Sequence, residues 1–245
     1  LEAEHDWFKA AAMEHPNIPH GLQLLVDLRG ECYRKMHGDR IDAVVGAVAV
    51  NNDGRSIGIM APTPEGQEAV LRRAHQMAGI EPAQIHYIEA HGTGTPIGDP
   101  IEVRALARAF GKLDANHCGI GSVKTNIGHL LAAAGVAGLI KVLLALRHEL
   151  IPPTLHLSRP HPLVRFEKTP FYPVTQSRPW PRSDVPRHAG ISSFGFGGTN
   201  AHVILHDLPL PASLPVPSAR DDSPQLLTLS ARNEDELAKM RAELL

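Results

Sequence analysis

The 245-residue chain is 43% hydrophobic and 20% charged with a net charge of −2, which provides for one sizeable core and a small appendage and excludes a basic footprint for nucleic acid or an anionic membrane surface. Its two cysteines, Cys32 and Cys118, form no CxxC pair, so neither a disulfide scaffold nor a zinc knuckle is indicated and a reducing cytoplasm fits. The opening LEAEHDWFKAAA lacks the apolar core and cleavage site of a signal peptide, and a start at Leu1 reads as a piece of something longer.

In chain order, residues 1–37 offer a short helical pattern near Trp7 and an apolar run, LQLLVDL, but no usable motif. IDAVVGAVAV, residues 41–50, has the continuous apolar character of a strand buried on both faces and ends in the turn Asn51-Asn52-Asp53-Gly54. Thr63 as N-cap and Pro64 as first helical position open a helix in which Val70, Leu71, Ala74, Met77 and Ala78 recur at helical spacing until Gly79. IHYIEA, residues 85–90, predicts a strand leading into His91-Gly92-Thr93-Gly94-Thr95. Asp99, Pro100 and Glu102 then form a capping-box-like start of a helix to Phe110.

The same order recurs with a short strand at 119–123, a loop at 124–128 and a long apolar helix at about 130–148, an alternation that predicts an α/β architecture. The run LLAAAGVAGLIKVLLAL approaches transmembrane length, but Lys141 interrupts it and Ala and Gly dominate its first half, so a buried helix is expected. Residues 154–187 read as Pro-rich and irregular, GISSFGFGGTN (190–200) feeds a strand at 201–206, and 207–225 is a Pro-rich linker. The last piece, 226–245, predicts a strand followed by a helix capped by Ser230 or Asn233.

Three loops carry potential chemistry: His91 to Thr95, Lys124 to His129 and Gly195 to Asn200. Taken singly, each is equally compatible with an ordinary glycine turn beside a structural histidine. Better-known signatures fail. Cys118 and Val123 stand where a P-loop ending at Lys124-Thr125 needs glycine. Gly195 to Asn200 precedes a strand rather than joining a strand to a helix, and Gly190-Ile191-Ser192-Ser193-Phe194 ends in Phe where a nucleophile elbow needs Gly. His202 and His206 lack the HExxH glutamate, so no metal site is expected, and scattered surface histidines account for the total of 15.

Together, HGTGTPIGDPIE, GSVKTNIGHLLAAAGVAGLIK and GISSFGFGGTNAHVIL resemble, in order and spacing, the ketosynthases (β-ketoacyl synthases) of type I modular polyketide synthases. The resemblance covers residues 38–206, including VNNDGRS, IPPTLH and RPWP, while 226–245 is similar to the start of the linker towards a following acyltransferase. It implies a thiolase-like layered α/β fold, here the C-terminal half plus part of the N-terminal half, and decarboxylative Claisen condensation on acyl carrier protein thioesters.

By the same resemblance His91 and His129 donate N–H groups to the enolate oxygen, Lys124 organises the charge of the site, and Phe196 is a gating residue whose backbone N–H serves an oxyanion hole. Gly195, Gly197 and Gly198 let that loop move and pack, and Thr93 and Thr95 meet the phosphopantetheine arm of the carrier protein. No cofactor or metal is held directly. Acyl carrier protein, the N-terminal ketosynthase half and a second copy in a homodimer are the implied partners. The start of the long helix just after His129 is expected to disfavour its imidazolium form.

The family's nucleophile stands in a Thr/Ser-Ala-Cys-Ser motif, which does not occur in this chain. Neither Cys32 nor Cys118 has its surroundings, so the nucleophile is unknown and the chain alone is expected to be inactive. The rival reading is a non-catalytic ketosynthase-like piece that serves packing or docking.

Overall fold

In the computed structural model the described residues are 42–54 and 62–208, together with Asn233. The readings near Trp7 and at Cys32, most of the Pro-rich linker, and the terminal strand and helix lie outside them.

Among the described residues the chain runs β1 (Val44–Asn52), α1 (Pro64–Ala78), β2 (Ile85–Glu89), α2 (Gly98–Phe110), β3 (Cys118–Gly121), the single turn α3 (Lys124–Ile127), α4 (Ala134–His148), β4 (Leu150–Ile151), β5 (Phe171–Pro173), β6 (Arg178–Pro179), β7 (His188–Phe194) and β8 (Thr199–His206). Six strands form one sheet in the order β1-β8-β7-β2-β3-β5, and β4 pairs with β6 apart from it. β7, β2, β3 and β5 run parallel, whereas β8 is antiparallel to both its neighbours. This is the α/β fold the alternation predicts.

Both faces of the sheet are covered, which is why its strands read as nearly continuous apolar runs. On one face Ala47, Ala49, Ile85, Ile88 and Ile204 pack with Val70, Leu71 and Ala74 of α1 and Leu106 and Phe110 of α2. On the other, Tyr87, Ala189, Ile191 and Leu205 pack with Val142, Ala145 and Leu146 of α4. Full burial of an apolar side chain of the size of Leu71 or Leu205 stabilises the fold by roughly 1.5–3 kcal/mol.

α1 starts and stops as expected. The Thr63 hydroxyl accepts the Gly66 N–H, Pro64 follows it, and Gly79 closes the helix in the left-handed conformation at φ 65°. The long apolar run behaves differently from its reading as one element: α4 is preceded by a 3₁₀ turn at Leu131–Ala133. Residues Leu131–His148 are long and apolar enough to cross a membrane by length and composition, yet α4 lies along the sheet with Lys141 buried in an ion pair to Glu89 of β2.

Two expectations are corrected. The stretch 154–187 holds β5 and β6, and β7 precedes the loop at 195–200; the short strands carry proline and β7 is rich in small residues, which weakens any periodic signal. The histidines are not all on the surface: His202 is 0% exposed, and His75 and His188 are also buried. His202 fits because position 190 is glycine, where a Cβ would stand 2.7 Å from its Nε2 and from Ile88 Cδ1.

Candidate active site

β7, β2 and β3 are adjacent and parallel, and the three motif loops leave the C-terminal ends of these three strands. Sequence-distant segments therefore meet at one edge of the sheet, the end at which open α/β folds present side chains and backbone to ligands.

His91 leaves β2, and its ring lies edge-to-face against His129, with centroids 5.4 Å apart and planes at 85°. Its other aromatic neighbour is Phe194 at the end of β7, at 5.6 Å. Burial pulls the His91 imidazole down to about 4, and the charges of Lys124 and His129 act in the same direction. The ring is therefore neutral near pH 7, able to donate one N–H without acting as a strong acid. Its Nδ1 is buried and makes no hydrogen bond.

Lys124 opens α3. Burial lowers its ammonium, while Glu102, Glu89 and Asp99 hold it up. It is half-buried rather than a free surface lysine. Gly128 follows at φ 75°, a turn that suits glycine and leads to His129, which is exposed. The Leu131 N–H donates to His129 Nδ1 at 3.0 Å, so a neutral His129 carries its proton on Nε2. The helix expected to start just after this ring begins only at Ala134, beyond a 3₁₀ turn at Leu131–Ala133.

Thr93 and Thr95 lie further along the first loop with their hydroxyl oxygens 3.3 Å apart, and Thr95 Oγ1 also accepts the Gly98 N–H at 3.0 Å. Gly195 to Gly198 form the turn between β7 and β8, in which Gly198 has φ 77° and Phe196 is 68% exposed. The turn is tied to the end of β1: the Asp53 N–H donates to the Gly198 carbonyl at 2.8 Å, and Asn200 Nδ2 donates to Asp53 Oδ1 at 2.6 Å. Phe194, not Phe196, is the phenylalanine that packs on His91.

The comparisons agree with this geometry. The family description "Beta-ketoacyl synthase, C-terminal domain" matches residues 42–158, and "Ketoacyl-synthetase C-terminal extension" matches 160–245. The chain belongs to the β-ketoacyl synthase family. It is 46% identical over 92% of its length to erythronolide synthase EryA3 of Saccharopolyspora erythraea, of which it covers 7%. It is 42% identical over 84% of its length to polyketide synthase PksN of Bacillus subtilis, of which it covers 4%. A solved ketosynthase from module 6 of the bacillaene synthase of Bacillus subtilis superposes with a TM-score of 0.74 at 41% identity, over 86% of this chain and 37% of that one. Ketosynthase twelve from the bacillaene polyketide synthase of Bacillus amyloliquefaciens gives 0.76 at 40% identity over 86% and 36%. The thiolase-like fold follows from these neighbours, and the chain spans well under two thirds of any of these relatives.

Several residues of this ketosynthase region were not singled out by sequence reasoning. Glu89 Oε2 accepts from Lys141 Nζ at 2.7 Å and from the Tyr87 hydroxyl at 2.8 Å, and Lys141 Nζ also donates to that hydroxyl at 2.8 Å. The other Glu89 oxygen accepts the Val123 N–H, the residue before Lys124. A buried triad thus fixes the start of the turn that carries Lys124. Lys141 was visible in the sequence as a cation inside an apolar run, and Glu89 as a charge inside a strand; their pairing was the available signal. Glu102, expected to cap α2, instead points back to the first loop, and Ile97, which precedes the helix, makes no side-chain cap. Cys118 lies at the far end of β3, fully buried, with its thiol pushed well up by burial.

Proposed function

We propose that this chain supplies the decarboxylating part of a polyketide ketosynthase site, with residues 38–206 as the ketosynthase region, 207–225 as a linker and 226–245 as the start of a connection to an acyltransferase. The observation that carries the reading is the edge-to-face pair of His91 and His129 where three parallel strands end. In the proposed reaction the bond between the carboxylate and Cα of a malonyl-type extender on acyl carrier protein breaks, CO₂ leaves, and the electron pair passes into an enolate. Neutral imidazole N–H groups of His91 and His129 stabilise its oxygen. The enolate carbon then attacks the thioester carbonyl of an acyl chain held on a cysteine from the upstream half, and the thiolate leaves.

In this reading Lys124 keeps positive charge beside both loops and thereby helps hold His91 neutral. Thr93 and Thr95 offer hydroxyls to the amides of the carrier's phosphopantetheine arm; the Thr95 oxygen accepts from Gly98 and lies 3.3 Å from that of Thr93. Phe196, exposed on a turn with Gly195, Gly197 and Gly198, gates the acyl entrance and places its N–H at the oxyanion. A cytoplasmic homodimer completes the picture.

The test is decarboxylation of malonyl-loaded acyl carrier protein by a complete synthase containing this region, with His91→Ala and His129→Ala compared with the parent. Each should lose about 10²–10³-fold, the range typical for removal of one oxyanion donor. Unchanged rates in both would instead favour the non-catalytic packing or docking role.

A further inference from the structure

Four of the described histidines stand on neighbouring strands at the sheet end opposite the catalytic loops: His206 closes β8, His188 opens β7, His86 follows the first residue of β2, and His117 precedes β3. In the sequence His206 pairs by spacing with His202, but the fold gives it another neighbour. His188 and His206 are direct cross-strand partners, with ring centroids 5.4 Å apart and planes at 38°. Two imidazoles on one tetrahedral ion, each with a metal–nitrogen bond of about 2.1 Å, have their centroids about 5 Å apart.

The ring nitrogens suit the same use. His206 Nδ1 lies 2.9 Å from the Asp207 carbonyl oxygen, to which it can only donate, so in the neutral ring Nε2 keeps its lone pair. A backbone carbonyl on the second nitrogen is the usual support of a metal-bound imidazole. His188 is 7% exposed, and its Nδ1 is buried without a hydrogen bond, a state that costs free energy until a partner meets it. Burial, followed by the charges of His206 and His86, pulls this imidazole down to about 4, against Asp207 and the Pro186 backbone. At neutral pH no proton therefore has to leave His188 before a cation enters.

We propose that His188 and His206 form a two-histidine site for a late divalent transition ion such as Zn²⁺, with water completing the coordination, and that the bound ion staples the start of β7 to the end of β8. Imidazole suits zinc, nickel and copper, whereas magnesium and calcium seek oxygen ligands. The count of protein ligands stops at two. Among the described residues no group of three metal-ligating side chains converges, and the Asp207 carboxylate is taken up by the backbone N–H and Nε of Arg187. His91 and His129 have the same ring spacing, but the Lys124 charge that acts on His91 repels a dication there. The proposed site is separated from Phe194 and His91 by the length of β7, about 20 Å for a strand of this size, so it does not depend on the ketosynthase reading.

The test is a Zn²⁺ titration of the full 245-residue chain near neutral pH, followed by imidazole nitrogen spectra and thermal melts, with Mg²⁺ as the control. The His188 and His206 rings should shift together and saturate at one equivalent of Zn²⁺, the melting temperature should rise with Zn²⁺ because the ion binds the folded chain, and Mg²⁺ should do neither. In His206→Gln the Zn²⁺ concentration at half-saturation should rise by more than about 10-fold, since loss of an outer partner alone costs 10–100-fold, and the gain in melting temperature should vanish. His188→Gln should do the same; if that buried change prevents folding, the half-buried His206 still decides the matter. A shift of His206 without His188 would mark a single surface imidazole and overturn the proposal. So would movement confined to other rings, such as His91 and His129, or Zn²⁺ binding that His206→Gln leaves unchanged.

Discussion

The loop bearing His91 and the loop bearing Lys124 and His129 leave adjacent strands at the same end of one sheet, yet their anchors differ. Each is held through backbone N–H groups by a buried carboxylate. Glu89, which holds Val123, has its charge matched by Lys141 and also accepts from the Tyr87 hydroxyl. Glu102, which holds His91 and Gly92, has only those amides. Glu89 is thereby braced from α4 as well as from its own strand, whereas Glu102 is a buried carboxylate with no counter-ion among the described residues, and burial raises it to about 7. The two loops therefore differ in what their roots rest on, and the far end of the second, at His129, is exposed.

The largest effect should come from breaking the fixed anchor. Lys141→Ala leaves the Glu89 charge buried without its partner and should destabilise the fold by about 3–5 kcal/mol, as seen when one member of a buried pair is removed. Replacing both, with Glu89→Leu and Lys141→Met, should recover much of that stability but not the acceptor for Val123, so amide exchange at Val123 should be faster than in the parent. Urea denaturation of the two variants is the check. A Lys141→Ala protein as stable as the parent would remove the contrast between the loops.

Acid should come next, with opposite signs from the two kinds of group. Burial holds His202 at about 3 and His75 at about 4, below the roughly 6.5 of a free imidazole. Below that value the unfolded chain binds protons that the folded chain refuses, so stability falls as pH drops from about 6.5 towards these values. For the fully buried His202 the slope is at most about 1.4 kcal/mol per pH unit. Glu102, raised to about 7, works the other way: its contribution is present below the ordinary carboxylate range and is lost as pH rises through 7. Thermal melts between pH 4 and pH 8 should show net loss on the acid side, and His202→Gln should flatten it. An unchanged slope in that variant would mean that His202 protonates as readily folded as unfolded.

These effects bear on what could be read from residues alone. The ends of helix α1 were legible because Thr63, Pro64 and Gly79 act locally, although Met77, read as part of its apolar face, is exposed. The three motif loops were legible as a set because their order and spacing match a family. The anchors were not, since a carboxylate that binds backbone amides leaves no pattern in sequence: Glu102 stands three positions after Asp99 and reads as a helix cap until the fold turns it towards His91. Lys141 reads as an interruption until Glu89 is placed beneath it. β7 was missed because Gly190, Ser192 and Ser193 are small; the first two face the His202 ring and Ser193 lies against Gly135.

Where the two loops touch, a smaller effect is expected. Gly92→Ala places a Cβ against Ser122 on a backbone with positive φ, and should cost about 1–3 kcal/mol from strain and overpacking. The discriminating readout is the His91–His129 contact. Ring-current shifts of both imidazoles should move in this variant and remain in place in Gly94→Ala, whose Cβ meets nothing within 4 Å although its φ of 73° is also positive. Equal movement in both variants would show that general loop strain, rather than contact between the loops, sets the ring pair.

His129→Ala is the smallest in stability and separates fold from chemistry most cleanly. The ring is exposed, and its one hydrogen bond among the described residues is accepted from the Leu131 N–H, a donor free to turn to water once the ring is gone. Surface substitutions of this kind stay within about 0.5 kcal/mol, so the melting temperature should barely move, in contrast to Lys141→Ala. On the proposed reading, decarboxylation by the complete synthase should nevertheless fall about 10²–10³-fold, the loss typical when one donor to a developing oxyanion is removed. The opposite combination, a large loss of stability with activity retained, would make His129 a structural cap of the 3₁₀ turn and leave His91, held by Glu102, as the sole imidazole donor of the site.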